Sequence, residues 1–93
     1  RLEIEPGVVT GNYFHKDTRV TFYLGRGKVE AGFTHVEMRA TCTLILEPRK
    51  QVIHVPPYVA HATKNCGTDP AILVFFSDRK LRSGDDFEHV VLT

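Results

Sequence analysis

Apolar side chains in this chain never settle into the three- and four-residue spacing of a helix face. They come in short runs that turn-forming residues cut off every few positions. Arg1–Glu5 alternates polar and apolar and stops at Pro6-Gly7. Arg19–Leu24 is rich in β-branched and aromatic residues and ends at Gly25-Arg26-Gly27, which reads as a hairpin turn. Lys28–Val36 continues as a strand with Gly32 at its middle, where a glycine marks a bulge or a corner of a curved sheet. Thr41–Leu46 ends at Glu47-Pro48 and Lys50–Val55 at Pro56-Pro57. Ala71–Phe76 is the most hydrophobic run and is predicted to be central, and Phe87–Leu92 ends the chain as a strand. Asp78–Asp86, charged and containing Ser83-Gly84, is predicted to be a surface loop with at most a helical turn. Roughly seven or eight short strands with turn signals between them predict an all-β sandwich or barrel.

The 93 residues form one domain, 1–93, near the lower size at which a single core holds without staples. A net charge of +1, with Lys and Arg scattered among acids, leaves no basic face for a phosphate backbone, so nucleic acid is not an expected partner. No apolar run approaches the roughly 20 residues of a membrane helix, and no signal-peptide pattern opens the chain, so the expected compartment is the cytoplasm and no membrane partner is expected. The chain begins without a methionine, as a piece of a longer polypeptide would. Cys42 and Cys66 lack metal-knuckle or redox spacing and are read as small buried or half-buried residues.

Two segments carry candidate chemistry. Gly11-Asn12 marks a turn or bulge, after which Tyr13 and His15 share one face of an extended segment and Phe14 and Lys16 take the other. Pro56-Pro57 forms a rigid elbow that delivers His61 to a defined place. Lys16 and Lys64, each out of phase with the neighbouring histidine, are expected to point outward.

The spacing of these residues resembles the cupin superfamily. Gly7, Tyr13, His15, Val20 and Gly27 fall where its first motif has Gly, His, His, Glu and Gly, and Pro56, Tyr58, His61 and Asn65 fall on its second, Pro-x-Gly-x-x-His-x-x-x-Asn. The resemblance implies a double-stranded β-helix, the jelly-roll barrel. Within that superfamily the stretch Pro6–Lys16 is similar to the small, RmlC-like cupins of bacterial surface-polysaccharide synthesis: sugar-nucleotide epimerases and ketoisomerases, and the cupin domain at the end of a capsular-polysaccharide-assembling reductase. Metal-binding cupins hold Fe, Mn, Ni or Zn with two histidines and a glutamate from the first motif and one histidine from the second. Here Tyr13 and Val20 replace two of those ligands, so no cofactor is expected. Were a divalent metal to bind, His15 and His61 would hold it, with Tyr13, His35 or His54 completing the set. Glycine is also missing at Lys50 and Tyr58, which alters a turn without breaking the barrel.

Without metal, the implied chemistry is proton transfer on a 4-keto sugar, whose carbonyl acidifies the adjacent C–H. His15 is the expected base, with Tyr13 and His61 as acid or orienting groups. Val20, Phe22 and Leu24 share the face that looks into the cavity in this fold, and with Tyr58 and Thr63 they are the expected ligand-binding residues. Each has a plainer alternative: Tyr13 as a space filler, His15 or His61 as a satisfied core histidine, and the apolar wall as ordinary packing. Arg19, Arg26 and Arg39 are candidates for a nucleotide-sugar pyrophosphate. Unpaired sheet edges in so small a barrel imply a homodimer. A non-catalytic module binding a small carbohydrate, and a metal-dependent cupin enzyme, remain alternatives to the isomerase or epimerase.

Overall fold

The computed structural model describes residues 1–78 and 84–93. The described residues form nine strands: β1 (Leu2–Ile4), β2 (Val9–Phe14), β3 (Val20–Arg26), β4 (Val29–His35), β5 (Thr41–Leu46), β6 (Val52–Val55), β7 (Val59–Asn65), β8 (Ala71–Ser77) and β9 (Phe87–Glu88). They pair into two antiparallel sheets with orders β1-β8-β3-β6 and β5-β4-β7-β2-β9. Apart from β9, added beside β2, this is the strand order of a jelly roll. No ladder joins the two sheets among the described residues, so the barrel is a sandwich with open sides.

Among the described strands, only β4 and β5 are neighbours both in sequence and within a sheet; every other connection crosses between layers. This overturns the hairpin expected at Gly25-Arg26-Gly27, because β3 and β4 lie in different sheets. The glycine chemistry there serves the crossing. Gly27 has φ +101°, and a Cβ on it would stand 2.9 Å from both Cα and Cβ of Ala71.

The two sheets meet over a core that includes Phe22, Leu24, Val29, Leu46 and Leu73, all essentially inaccessible. Alternation supplies it: Val20, Phe22 and Leu24 on β3 point inward while Thr21 and Tyr23 face out. Burying a Phe or Leu side chain in this way stabilises by about 2–3 kcal/mol. Ala71–Ser77 does lie inside its sheet, between β1 and β3. Asn65, the last position of the second motif, is also buried and fully engaged: Nδ2 donates to Ile4 O (2.9 Å) and Asp69 O (2.8 Å), and Oδ1 accepts from Gly67 N–H. It welds the end of β1 to the β7–β8 turn.

Other expectations change in detail. Gly32 is not a bulge, since β4 keeps unbroken register with β5 and β7 through it. Its missing side chain makes room for Val91 and Leu92, whose atoms would lie 2.9–3.0 Å from an added Cβ. The last strand is two residues long rather than six. Beyond it, the segment to Leu92 is tied down by Asn12, whose Oδ1 accepts from Val91 and Leu92 N–H and whose Nδ2 donates to Leu92 O. Cys42, on the edge strand β5, and Cys66, in the turn after β7, are both exposed free thiols, not buried or half-buried ones. Of the loop expected over Asp78–Asp86, residues 79–83 lie outside the described residues, and Asp85 and Asp86 pack against the β2–β3 connection rather than standing free.

Candidate functional site

The site begins with a bulge. Register between β2 and β7 runs Thr10↔Thr63 and Gly11↔Ala62, then jumps to Tyr13↔His61, leaving Asn12 as an extra residue at φ +63°. An extra residue shifts the side-chain phase by one position. Thr10 and Tyr13, which strict alternation would put on opposite faces, therefore both look inward. Thr10 and Thr63 join hydroxyls at 2.9 Å on that inner face. β7 sits between β2 and β4, so His61 is flanked by Tyr13 on one side and Phe33 on the other.

His15 lies just past β2, buried to 3% exposure, and His61 is buried to 4%. Their ring centroids are 5.8 Å apart, and the Tyr13 ring meets both edge-on, 5.4 Å from His15 and 5.2 Å from His61. Both imidazoles line a cavity of about 280 Å³, as do Val20 and Thr63. Its other walls include Thr10, Leu2 and Phe75, and its charged lining residues are Arg1 and Asp86.

The hydrogen bonds fix what His15 can do. Nδ1 lies 2.8 Å from the carbonyl oxygen of Asp85 and 3.0 Å from Oδ1 of Asp86. A carbonyl can only accept, so Nδ1 carries a proton, and in the neutral ring the lone pair sits on Nε2. That Nε2 is buried and has no hydrogen-bond partner among the described residues, and the same is true of His61 Nδ1. Burial, reinforced by the neighbouring His15, lowers the pKa of His61 to about 4, so its ring is neutral near pH 7.

Other expected site residues lie elsewhere. Phe22 and Leu24 are fully buried beneath the cavity, with Phe22 stacked against Phe33, Phe75 and His61. Their inward phase was right, but depth in the sandwich takes them out of reach. Tyr58 packs on Phe14, away from the cavity, and holds φ +67°, the left-handed conformation that the motif's glycine would adopt without strain. Its N–H donates to His15 O at 2.7 Å, so it braces the histidine backbone instead of touching a ligand. Lys16 does point outward, over the Phe87 ring. None of Arg19, Arg26 and Arg39 lines the cavity; among the described residues its lining arginine is Arg1. Asp86 was missed; its partner His15 lies 71 positions earlier, and no local pattern could have paired them.

A cupin metal finds too few donors. His35 accepts from the N–H groups of Glu37 and Met38, and His54 bonds Thr21 on the outer surface, so neither reaches the cavity. Among the described residues no group of three or more His, Cys, Asp or Glu side chains could hold an ion. Two imidazoles fall short of the three protein ligands usual even at open catalytic sites, and the set does not fit a tightly held divalent ion.

Comparison with known proteins places this arrangement. A family model described as the polysaccharide biosynthesis C-terminal domain matches residues 2–86. The chain belongs to that family. Comparison with curated proteins finds no match. Among solved structures this polysaccharide biosynthesis C-terminal domain is similar to the capsular polysaccharide assembling protein CapF from Staphylococcus aureus, at TM-score 0.89 and 20% identity, covering 97% of this chain and 26% of that one. It is similar to a dTDP sugar isomerase from Desulfovibrio desulfuricans G20, at TM-score 0.86 and 16% identity, covering 97% and 62%. The 3,4-ketoisomerase QdtA from Thermoanaerobacterium thermosaccharolyticum, solved as a mutant with TDP-4-keto-6-deoxyglucose, superposes at TM-score 0.77 and 12% identity, covering 92% and 62%. The chain therefore spans about a quarter of CapF and under two thirds of the isomerases. At these identities the likeness establishes the cupin jelly-roll fold.

Proposed function

We propose that this domain is a sugar-nucleotide isomerase or epimerase that moves a proton on a 4-keto sugar, with His15 as the base and no resident metal. The observation that carries this reading is the His15 ring itself: it lines the cavity, Nδ1–H is engaged by two oxygens, and Nε2 is buried with no hydrogen-bond partner among the described residues. A neutral imidazole so oriented is a general base, and a carboxylate on its far nitrogen stabilises the imidazolium it becomes. Nε2 takes the proton from the carbon beside the carbonyl, and the electron pair moves into the carbonyl to give an enediolate. Tyr13, packed edge-on against both imidazoles, supplies the hydroxyl that holds the developing oxyanion. His61, neutral at working pH, orients the substrate by hydrogen bonding and is not a cationic acid. Reprotonation of the same carbon from the opposite face, by the Tyr13 hydroxyl, is epimerisation; return of the proton from His15 to the former carbonyl carbon, with the hydroxyl proton passing from one enediolate oxygen to the other, moves the ketone.

The volume suits one sugar ring, being close to the lower end of small-ligand sites, ~300–1,000 Å³, so the nucleotide lies outside the cavity. The solved QdtA complex with a TDP-4-keto sugar and the dTDP sugar isomerase support this substrate class. The test is incubation with TDP-4-keto-6-deoxyglucose in deuterated water. The protein should exchange a ring C–H for deuterium, and His15→Gln should slow that exchange by about 10²–10⁴-fold with the fold intact. A protein that binds the sugar and returns it without deuterium, or a His15→Gln variant as fast as the parent, would overturn the assignment in favour of a binding module or another base.

A further inference from the structure

The carboxylate that engages His15 is poorly anchored by itself. The Asp86 side chain is 35% exposed, and the residue precedes β9 without belonging to it. Downstream it is held by the pairing of Phe87 with Phe14. Upstream the tether is its neighbour. Asp85 Oδ1 accepts from the N–H of Lys16, and Oδ2 accepts from the N–H groups of Asp17 and Thr18 and from the Thr18 hydroxyl, each at 2.9 Å. One carboxylate thus gathers three successive backbone donors of the β2–β3 connection, while the carbonyl of the same residue takes the Nδ1–H of His15 at 2.8 Å.

We infer that Asp85 is a positioning residue: by clamping the 16–18 turn it sets the tautomer of His15 and holds Asp86 within reach of Nδ1. The side chains of adjacent residues in extended chain point to opposite sides, so one aspartate grips the turn while the next meets the imidazole. Without the clamp, the carboxylate cage and the carbonyl contact lose their register together, and the Asp86 contact with His15 loses its upstream support. What remains is β9. Partial desolvation of Asp85 would raise its pKa, but the hydrogen bonds from Lys16, Asp17 and Thr18 outweigh it and hold the value at about 2, so the clamp stays charged through the physiological range.

The inference rests on the proposed reaction only for its kinetic consequence. The tautomer can be read without turnover, from the ring nitrogens of ¹⁵N-histidine-labelled protein by NMR. The wild type should show His15 as the Nδ1–H form with a slowly exchanging proton. Asp85→Ala should lose that protection, with exchange about ten-fold faster or more, while circular dichroism and melting report a folded domain. Asp85→Asn, which keeps one accepting oxygen, should recover part of it. Thr18→Val removes a single bond of the cage and should shift exchange in the same direction by a smaller factor. It decides the matter if Asp85→Ala fails to fold. In turnover, displacement of a positioned base by about 1 Å costs about 10²-fold, so kcat should fall with KM nearly unchanged. Folded Asp85→Ala and Thr18→Val proteins with the wild-type His15 proton signal would overturn the assignment. A protein that fails to turn over 4-keto sugars but shows the clamped tautomer would overturn the reaction and leave the clamp standing.

Discussion

Acid should destabilise this domain well above the pH at which carboxylates titrate, and His61 is the reason. In the unfolded chain its imidazole titrates near 6.5; in the folded protein burial, aided by repulsion from His15, lowers that to about 4. Weaker pulls upward come from the Val59 backbone and from Asp86. Because the folded value is depressed, the unfolded state binds the extra proton between the two, and stability present above pH 6.5 drains away as pH falls towards 4. A gap of about 2.5 between the two values corresponds to about 3 kcal/mol at full protonation. Integrated from pH 7 to pH 5, the loss is about 2 kcal/mol. For a domain of this size that lowers the melting temperature by about 8–15 °C. The decisive comparison is with His61→Gln, which retains a polar group of similar size but cannot titrate. Thermal or urea unfolding at several pH values should show the wild type falling and the variant nearly flat across this window, other groups cancelling in the difference. Asp85 does not intrude, since its depressed carboxyl, at about 2, withdraws stability only below the ordinary value of 3.8. If both proteins lose the same stability between pH 7 and 5, or if the His61 ring titrates near 6.5 by NMR, then His61 is not desolvated as described and the two-imidazole cavity is wrong.

Two further perturbations test the frame around the site. Gly27→Ala meets Ala71 at 2.9 Å in a backbone conformation that L-residues avoid, so urea denaturation should show a loss of about 3 kcal/mol from strain and overpacking together. A near-neutral result would mean that the β3–β4 crossing is looser than its geometry implies. Asn12→Gly keeps the left-handed bulge but deletes three hydrogen bonds to residues 91 and 92. Amide exchange at Val91 and Leu92 should accelerate about ten-fold or more, with β7 amides unchanged; equal protection in the variant would refute the tether.

How far the sequence discloses this molecule depends on distance along the chain. Strand positions follow from alternation and turn residues, and Ala71–Phe76 reads as an interior strand because no polar residue interrupts it. Partners do not follow. Gly25-Arg26-Gly27 has hairpin composition, yet the chain crosses to the other sheet there, since a glycine licenses a sharp change of direction without choosing the destination. Gly32 is blank in the sequence because its reason is a segment some 60 positions later. The ligand wall shows the same limit: phase separates inside from outside for Phe22 and Leu24, but it carries no depth, and both are covered by the packing that the cavity stops short of.

The candidate site divides along that line. Tyr13, His15 and His61 converge because local signals suffice: a bulge at Gly11-Asn12 restores the inward phase, and a rigid elbow fixes the start of β7. If residue 12 were an ordinary member of the ladder, Tyr13 would leave the cavity and the ring set would lose the group packed against both imidazoles. The same inserted residue turns its side chain outward and captures the terminal segment, which follows directly on β9. One irregular residue therefore aims the inner side chains and fastens the outer strap that ends the Asp85–Asp86 connection. A regular strand that kept Thr10 inward would turn residue 12 towards the cavity and Tyr13 away from it, losing the strap and the ring set together.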